Sequence, residues 1–191
     1  MKKEEMPIIT KREIEERVSR VGEYLKIDIL SNYLKMNIDF SARKFVLKSL
    51  AELYEKKGIL KEAAKLMNNC AEIDVSFESK IDDYMKAFEL FIKSEEYHLS
   101  EITFNKALSC ANTQKKEELK TKRREIYKNQ AESLIKKDKR KSAVQIYERM
   151  LELDYTQEEK KEIKKILMGL YEKLGKIREF YEMKKVLENS I

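Results

Sequence analysis

Apolar residues recur at intervals of three and four along most of the chain, the spacing that places them on one face of an α-helix. The stretch 44–75 shows this most clearly, with one apolar stripe on either side of Gly58. The first stripe contains Leu47, Leu50, Ala51 and Tyr54, and the second contains Ala63, Met67 and Cys70. Glycine adopts left-handed backbone angles without steric cost, so Gly58 is suited to end the first helix. The stretch therefore predicts two antiparallel helices joined by a tight turn.

The same order of large, small and aromatic positions returns three times downstream. The position of Tyr54 is repeated by Phe91, Leu134 and Tyr171, at intervals of 37, 43 and 37 residues. The position of Ala63 is repeated by Ser100, Ala143 and, with a large side chain, Phe180. The repetition predicts four helix pairs, at about 44–75, 76–112, 113–154 and 156–191.

The residues before the first pair predict a tail and a helical extension. Residues 1–10 are expected to form a flexible tail, and Thr10 with Glu13 forms a capping box that begins the first helix. The extension covers 11–38. Its apolar pattern fits two helices separated at Gly22 equally well as one continuous helix.

Three further boundaries can be predicted from local signals. Either Asp39 or Ser41 is suited to cap the helix that opens the first pair. The third pair begins with a long helix, expected from about 114 to 137 and about 36 Å long at 1.5 Å per residue. Thr156 and Glu159 form a second capping box, which places the start of the fourth pair.

The arrangement of these positions around the turn resembles the tetratricopeptide repeat (TPR) family, whose unit is a helix–turn–helix of about 34 residues. The resemblance covers about 44–191 and is weakest in the last pair. It implies an all-α fold, a right-handed TPR-like α-solenoid of stacked antiparallel helix pairs, within a single domain over 11–191. The units lack the family's Trp and Pro, and their spacing is longer. An irregular α-solenoid or a helical bundle is the alternative fold.

The resemblance also implies a concave face formed by the first helix of each pair. The residues between the packing positions of those helices are the candidate groove for a partner: Lys48, Glu52, Met85, Glu89, Lys128, Asn129, Glu132 and Lys165. Lys48 with Glu52 and Lys128 with Glu132 are opposite charges four residues apart, which partly neutralise each other. The family's clamp for a terminal carboxylate is therefore not expected. The pattern fits two interpretations equally, a mixed-charge groove that binds a peptide and an ordinary solvated face.

Charge is concentrated in one stretch of the chain. Residues 115–141 contain twelve Lys or Arg and five Asp or Glu, whereas the whole chain carries a formal charge of +6. The candidate basic patch consists of Lys120, Lys122, Arg123, Arg124, Lys136, Lys137, Lys139, Arg140 and Lys141. Such a patch suits phosphate backbones or an acidic protein. Aromatic residues for base stacking are sparse nearby, so a solvated basic face is the preferred interpretation.

Composition narrows the remaining classes of function. The chain has 42% hydrophobic and 40% charged residues with 4 Gly and 1 Pro, which favours a folded helical protein with a charged surface. Cys70 and Cys110 are predicted to be small buried core residues, and His98 is the single histidine, so no metal or cofactor is expected. No nucleophile–histidine arrangement or glycine-rich phosphate loop is present, so no enzyme and no catalytic residue are expected.

The sequence leads to one expected function and two alternatives. The chain is expected to be a cytoplasmic, non-membrane scaffold or adaptor that binds a segment of another protein on its concave face. The first alternative is a nucleic-acid-associated protein that uses the basic 115–141 surface. The second is self-assembly into a homo-oligomer through the apolar end of the last pair, at Phe180, Tyr181, Val186 and Leu187.

Overall fold

The computed structural model describes residues 8–188 of the 191-residue chain. These residues form ten α-helices and no named strand, which confirms the all-α prediction. In order, the helices are α1 (Lys11–Ser19), α2 (Glu23–Tyr33), α3 (Phe40–Lys56), α4 (Leu60–Ile73), α5 (Phe77–Lys93), α6 (Tyr97–Ser109), α7 (Thr113–Lys136), α8 (Arg140–Leu151), α9 (Gln157–Lys173) and α10 (Ile177–Glu188). Within the described part of the chain, no helix is both long and apolar enough to cross a membrane.

The chain divides into two compact units, residues 1–112 and 113–191. Their described parts, 8–112 and 113–188, are called the N-terminal unit and the C-terminal unit. The sequence pattern predicted a single domain over 11–191 because the repeat continues through the boundary. The division falls between the second and third predicted helix pairs.

The extension before the first pair is two helices rather than one. The predicted capping box of α1 is present, with the Thr10 N–H donating to Glu13 Oε2 at 2.7 Å. Gly22 stands at the N-cap of α2 with extended backbone angles, which separates the two helices. Residues 1–7 of the predicted tail lie outside the described residues. Ile9, near its end, pairs with Ile38 in an isolated parallel bridge.

The first helix of the first pair starts earlier than the apolar stripe indicated. Asp39 is the N-cap, and its Oδ1 accepts from the Ala42 N–H at 2.6 Å. This excludes Ser41, which lies one residue inside the helix. The pair therefore begins at Phe40 rather than near residue 44, because the cap and not the first buried residue sets a helix start.

All four helix pairs are joined by the same backbone turn. In each, an N–H donates to the carbonyl five residues earlier at 2.9 Å: Ile59 to Tyr54, Glu96 to Phe91, Lys139 to Leu134 and Lys176 to Tyr171. The residue before each donor is left-handed, with φ of 74° at Gly58, 62° at Glu95, 54° at Asp138 and 66° at Gly175. This is the Schellman termination of a helix. The sequence count of 37, 43 and 37 residues therefore located four equivalent turns.

The N-terminal unit packs each helix mainly on its neighbours in the chain. α3 packs on α4, α4 on α5, and α5 on α6. α5 contributes nine buried residues, because it lies between α4 and α6. The small side chains of Ala51 and Ala63 are buried at the first junction, as predicted. At the second, Phe88 replaces the small residue and packs against Phe104 with ring centroids 5.4 Å apart.

The C-terminal unit follows the same neighbour-to-neighbour order, from α7 to α10. α7 is 24 residues long, which confirms the long helix predicted there. The predicted capping box at Thr156 and Glu159 is present at the start of α9. α10 has no buried residue along its described length. Tyr147 and Tyr171 are buried at the predicted packing positions.

Candidate functional site

In the N-terminal unit, α3 and α5 form a surface made of two first helices side by side. Three contacts join them: Lys44 Nζ to Ser79 Oγ at 2.9 Å, Lys48 Nζ to Asp83 Oδ1 at 2.6 Å, and Lys86 Nζ to Glu55 Oε1 at 2.8 Å. Residue numbers rise together along both helices, so α3 and α5 run in the same direction. We call this surface the α3–α5 face.

A buried polar group lies under the middle of the α3–α5 face. Asp83 is buried, and its second carboxylate oxygen accepts from the Cys70 thiol at 3.3 Å. Burial, and then the neighbouring Asp83 carboxylate, raise the pKa of Cys70 to about 12. Burial lowers the pKa of Lys48, but the hydrogen bond and charge of Asp83 outweigh it and the pKa rises. The ion pair therefore joins two helices over a neutral thiol.

A second polar group lies at the end of the same face. Asp74, buried in the α4–α5 connection, accepts from Lys44, and its Oδ1 accepts from the Ser76 N–H at 3.2 Å. Burial alone would raise the pKa of Asp74. The hydrogen bonds from Lys44, Ser79 and Ser76 outweigh burial and hold the pKa well below its usual range. This carboxylate stays charged at neutral pH and fixes the connection to α3.

On the opposite side of the N-terminal unit, ion pairs join the second helices. Lys61 pairs with Glu96 at 2.5 Å, and Lys106 pairs with Glu72 at 2.5 Å. The hydrogen bond from Lys106 lowers the pKa of Glu72. Consecutive pairs of this unit are thus bound together by charges on both sides.

The predicted groove residues of the N-terminal unit do not all face solvent. Met85 is 3% exposed and belongs to the core, which corrects its assignment to the groove. In the 37-residue register Met85 takes the place of Lys48, but its side chain lies on the side of α5 that packs inward. Lys48 pairs with Asp83 across the helices rather than only offsetting Glu52. Glu52 is exposed, and the half-buried Glu89 accepts from Lys93 at 2.5 Å.

The other four predicted groove residues lie in the C-terminal unit and are exposed. They are Lys128, Asn129 and Glu132 on α7 and Lys165 on α9. Lys165 pairs with Glu162 one turn away at 2.6 Å. These residues remain candidates as surface groups.

The predicted basic patch is two clusters rather than one surface. Lys122, Arg123 and Arg124 belong to the first half of α7, and the exposed Lys136 lies about 20 Å further along it at 1.5 Å per residue. The second cluster, at the α7–α8 turn, contains Lys136, Lys137, Lys139, Arg140 and Lys141.

Several members of the basic patch have structural partners. Arg124 donates to the Asp154 carbonyl at 3.1 Å and stacks on the ring of Tyr155, whose hydroxyl donates back to the Arg124 carbonyl at 3.2 Å. Lys120 pairs with Glu117 at 2.8 Å. Arg140 pairs with Asp138 at 2.9 Å, within the turn. The lysines at 136, 137, 139 and 141 are exposed and form the stronger basic surface.

Sequence reasoning missed Asp74 and Asp83, which carry the polar interior of the α3–α5 face. Asp83 had a usable signal, since Ala87 and Leu90 follow it by four and seven residues and are both fully buried. Its neighbour Asp82 is exposed, one residue away on the helix. Cys70 is buried as predicted, whereas Cys110 is half-buried at the C-cap of α6. No group of three metal-ligand side chains occurs among residues 8–188.

Comparison with known proteins gives a distant likeness to a solved structure. No protein-family model matches the sequence, and no curated protein is significantly similar to it. Among solved structures, the crystal structure of BtubC (BKLC) from P. vanneervenii is 13% identical, covering 93% of this chain and 76% of that chain. Its TM-score is 0.39, and at that value the likeness carries no conclusion about this chain.

Proposed function

We propose that this chain is a non-catalytic scaffold or adaptor that binds a segment of another protein. Its helix pairs would stack as in the TPR family, and the partner would lie on the surface formed by the first helices. The observation that carries this proposal is the α3–α5 face. Two first helices run side by side there and carry charged groups at equivalent positions, such as the exposed Glu52 and the half-buried Glu89, which are 37 residues apart.

The repeated turn supports the TPR-like part of the proposal. A single helix pair buries only one side of its apolar stripe, so each pair needs a neighbour, and the packing of α4 between α3 and α5 has that form. The cross-helix contacts of Lys48 and Lys86 hold adjacent first helices in register. A surface that is rigid before binding loses little ordering entropy when a partner segment lies on it.

Affinity capture with matched charge variants tests the proposed surface. One variant carries Glu52→Lys and Glu89→Lys on the α3–α5 face. The control carries Glu152→Lys and Glu172→Lys, exposed residues of the C-terminal unit, and has the same change in net charge. Mass spectrometry of the material captured from the source organism's lysate should show the same protein with wild type and control. We expect recovery to fall roughly tenfold or more with the face variant.

Two results would overturn the proposal. The first is equal recovery of every partner by the face variant, which would exclude the α3–α5 face. The second is recovery of nucleic acid that is released by salt and lost when the lysines at 136, 137, 139 and 141 are neutralised. That second result would favour the nucleic-acid alternative on the cluster at the α7–α8 turn.

The self-assembly alternative depends on the outer side of α10. Tyr181 and Val186 are exposed, while Phe180 and Leu187 are half-buried. In the repeat register, Lys184 of α10 takes the place of the buried Met67 of α4. A charged residue at a stacking position opposes continuation of the stack. Light scattering over a range of concentrations measures this alternative directly.

A further inference from the structure

One end of the N-terminal unit exposes large apolar side chains that its core does not use. Val75 is 84% exposed, Phe77 is 68% exposed, and Phe40 and Met36 are each 47% exposed. Isolated exposed apolar residues are common, but several at one end of a small unit mark an interaction surface. We call these four residues the apolar end.

The two aromatic rings of the apolar end occupy equivalent positions. Phe40 is the first residue of α3 and Phe77 is the first residue of α5, 37 residues later. The contact between Lys44 and Ser79 lies within about one helical turn of both rings. Because α3 and α5 run in the same direction and are joined by side-chain contacts, the rings start neighbouring helices. The rings therefore belong to one surface.

The chain itself covers the equivalent position one repeat earlier. Ile38 corresponds to Val75 in the 37-residue register and is buried, because Ile9 pairs with it and packs against the same cluster. The Asp39 N–H donates to the Ile9 carbonyl at 3.5 Å. An extended segment with a branched aliphatic side chain is thus what fits beside Ile38. Val75 has the same place in the repeat and is open.

The exposed position of Val75 differs from the covered position of Ile38 in the hydrogen bonding of the backbone that follows. The Ser76 N–H, equivalent to that of Asp39, donates to the Asp74 carboxylate at 3.2 Å. A segment that docks beside Val75 therefore finds this donor already used. Its contacts must come mainly from apolar side chains placed against Val75, Phe77 and Phe40.

The charges next to the rings determine which charge a bound partner segment should carry. Arg43 follows Phe40 by three residues and Lys80 follows Phe77 by three, so these two cations lie on the same helical faces as the rings, whereas Lys44 is already paired with Asp74. Glu78 is adjacent to Phe77 in sequence but lies about a quarter turn around the helix. Carboxylates of a partner are favoured beside these cations.

We propose that the apolar end docks an extended, acidic segment of a partner protein with branched aliphatic anchors. The anchors cover Val75, Phe77 and Phe40 as Ile9 covers Ile38, and the carboxylates lie near Arg43 and Lys80. This surface is at the end of α3 and α5 and does not include Glu52 or Glu89. The proposal therefore stands or fails separately from the proposed α3–α5 binding face.

Fluorescence anisotropy with three labelled synthetic peptides tests the apolar end in the full chain. The first peptide alternates isoleucine and glutamate, the second isoleucine and lysine, and the third alanine and glutamate. We expect the first to bind roughly tenfold or more tightly than either of the others. The variant Phe40→Ser with Phe77→Ser should weaken its binding by a similar factor. The control Ile102→Ser with Ile135→Ser, at exposed residues elsewhere, should leave binding unchanged.

A second variant keeps both rings and tests the charge argument. Val75→Glu adds a carboxylate to the apolar end, so it should weaken binding of the isoleucine–glutamate peptide more than that of the isoleucine–lysine peptide. Equal binding of all three peptides, or equal binding by wild type and the double serine variant, would overturn the proposal. It would also be overturned if sedimentation shows wild type as a dimer and the double variant as a monomer, because the occupant would then be a second copy.

Discussion

The N-terminal and C-terminal units are built from the same helix pair but bind their helices together with different polar groups. In the N-terminal unit, lysines bridge to carboxylates on another helix, as in Lys48 with Asp83 and Lys106 with Glu72. In the C-terminal unit, tyrosine hydroxyls make such bonds, as Tyr171 does to Glu148 at 2.7 Å. The turns are shared, whereas the donors of these particular bridges differ. The turn thus belongs to the repeat itself, and the bridges belong to each junction.

The difference has an electrostatic consequence. A carboxylate taken out of water is stabilised only if its partners replace the lost hydration, and Asp83 meets this condition with Lys48 and Cys70. A pair within one helix, such as Lys165 with Glu162, stays largely in water on both sides. Buried bridges should therefore affect stability, whereas exposed pairs contribute little.

The largest expected effect comes from breaking the buried bridge. Asp83→Ala should lower the free energy of unfolding by about 1–3 kcal/mol, because the Cys70 thiol loses its acceptor and Lys48 loses its ion pair. Lys48 is 39% exposed and can turn toward water, which limits the loss. Urea unfolding followed by circular dichroism measures the change.

Two matched variants test whether burial is the cause. Asp82→Ala removes the exposed neighbour of Asp83, and Glu162→Ala removes an exposed pair in the C-terminal unit. Each should change stability by less than about 0.5 kcal/mol. Equal losses for Asp82→Ala and Asp83→Ala would contradict the proposed role of burial.

An intermediate effect is expected from the pH dependence of the Asp74 group. Its pKa is lowered in the folded state, so the stability it contributes is present above the unfolded pKa of about 3.9 and is lost as pH falls through the lower folded value. Asp74→Asn should cost about 1–2 kcal/mol at pH 7 and progressively less below about pH 4. The free energies of unfolding of wild type and Asp74→Asn should differ less at pH 3 than at pH 7.

Lys44 provides the matched partner for this measurement. Lys44→Met should remove much of the same pH dependence, because Lys44 donates to the Asp74 carboxylate. The double variant, Lys44→Met with Asp74→Asn, should then lower the free energy of unfolding by less than the sum of the two single losses. Strict additivity at pH 7 would show that the bridge does not couple the α4–α5 connection to α3.

The repeat could be predicted from the sequence because it depends on short-range signals. Three kinds of signal act within about one helical turn, so spacing alone located them: the glycines Gly58 and Gly175, the large residue before each turn, and the capping boxes. The left-handed Glu95 carries no such signal by residue type, and Asp138 carries a weaker one than glycine. Counting from Tyr54 found those two turns where composition did not.

The site was harder to predict because it depends on which helices meet. Asp82 and Asp83 are the same residue type in adjacent positions, and only the packing of α5 against α4 buries the second. Met85 was misassigned for the related reason that a position between packing residues on an isolated helix becomes interior when that helix has neighbours on both sides. The apolar end was missed because Phe40 lies before the first buried stripe of its pair.

The smallest effects should appear where the two units are alike. Gly58 and Gly175 are both left-handed, and an added Cβ meets no atom within 4 Å at either position, so the cost of alanine is conformational. Gly58→Ala and Gly175→Ala should each lower stability by about 1 kcal/mol. Gly169→Ala, inside α9 and equally open, should raise it by about 0.5–1 kcal/mol, because alanine favours the helix. Urea unfolding of the three variants distinguishes the expected losses of stability at the two turns from the expected gain inside α9. Equal losses at the two turns would support one shared termination in both units, whereas a loss at Gly58 alone would show that the turn contributes to stability only in the N-terminal unit.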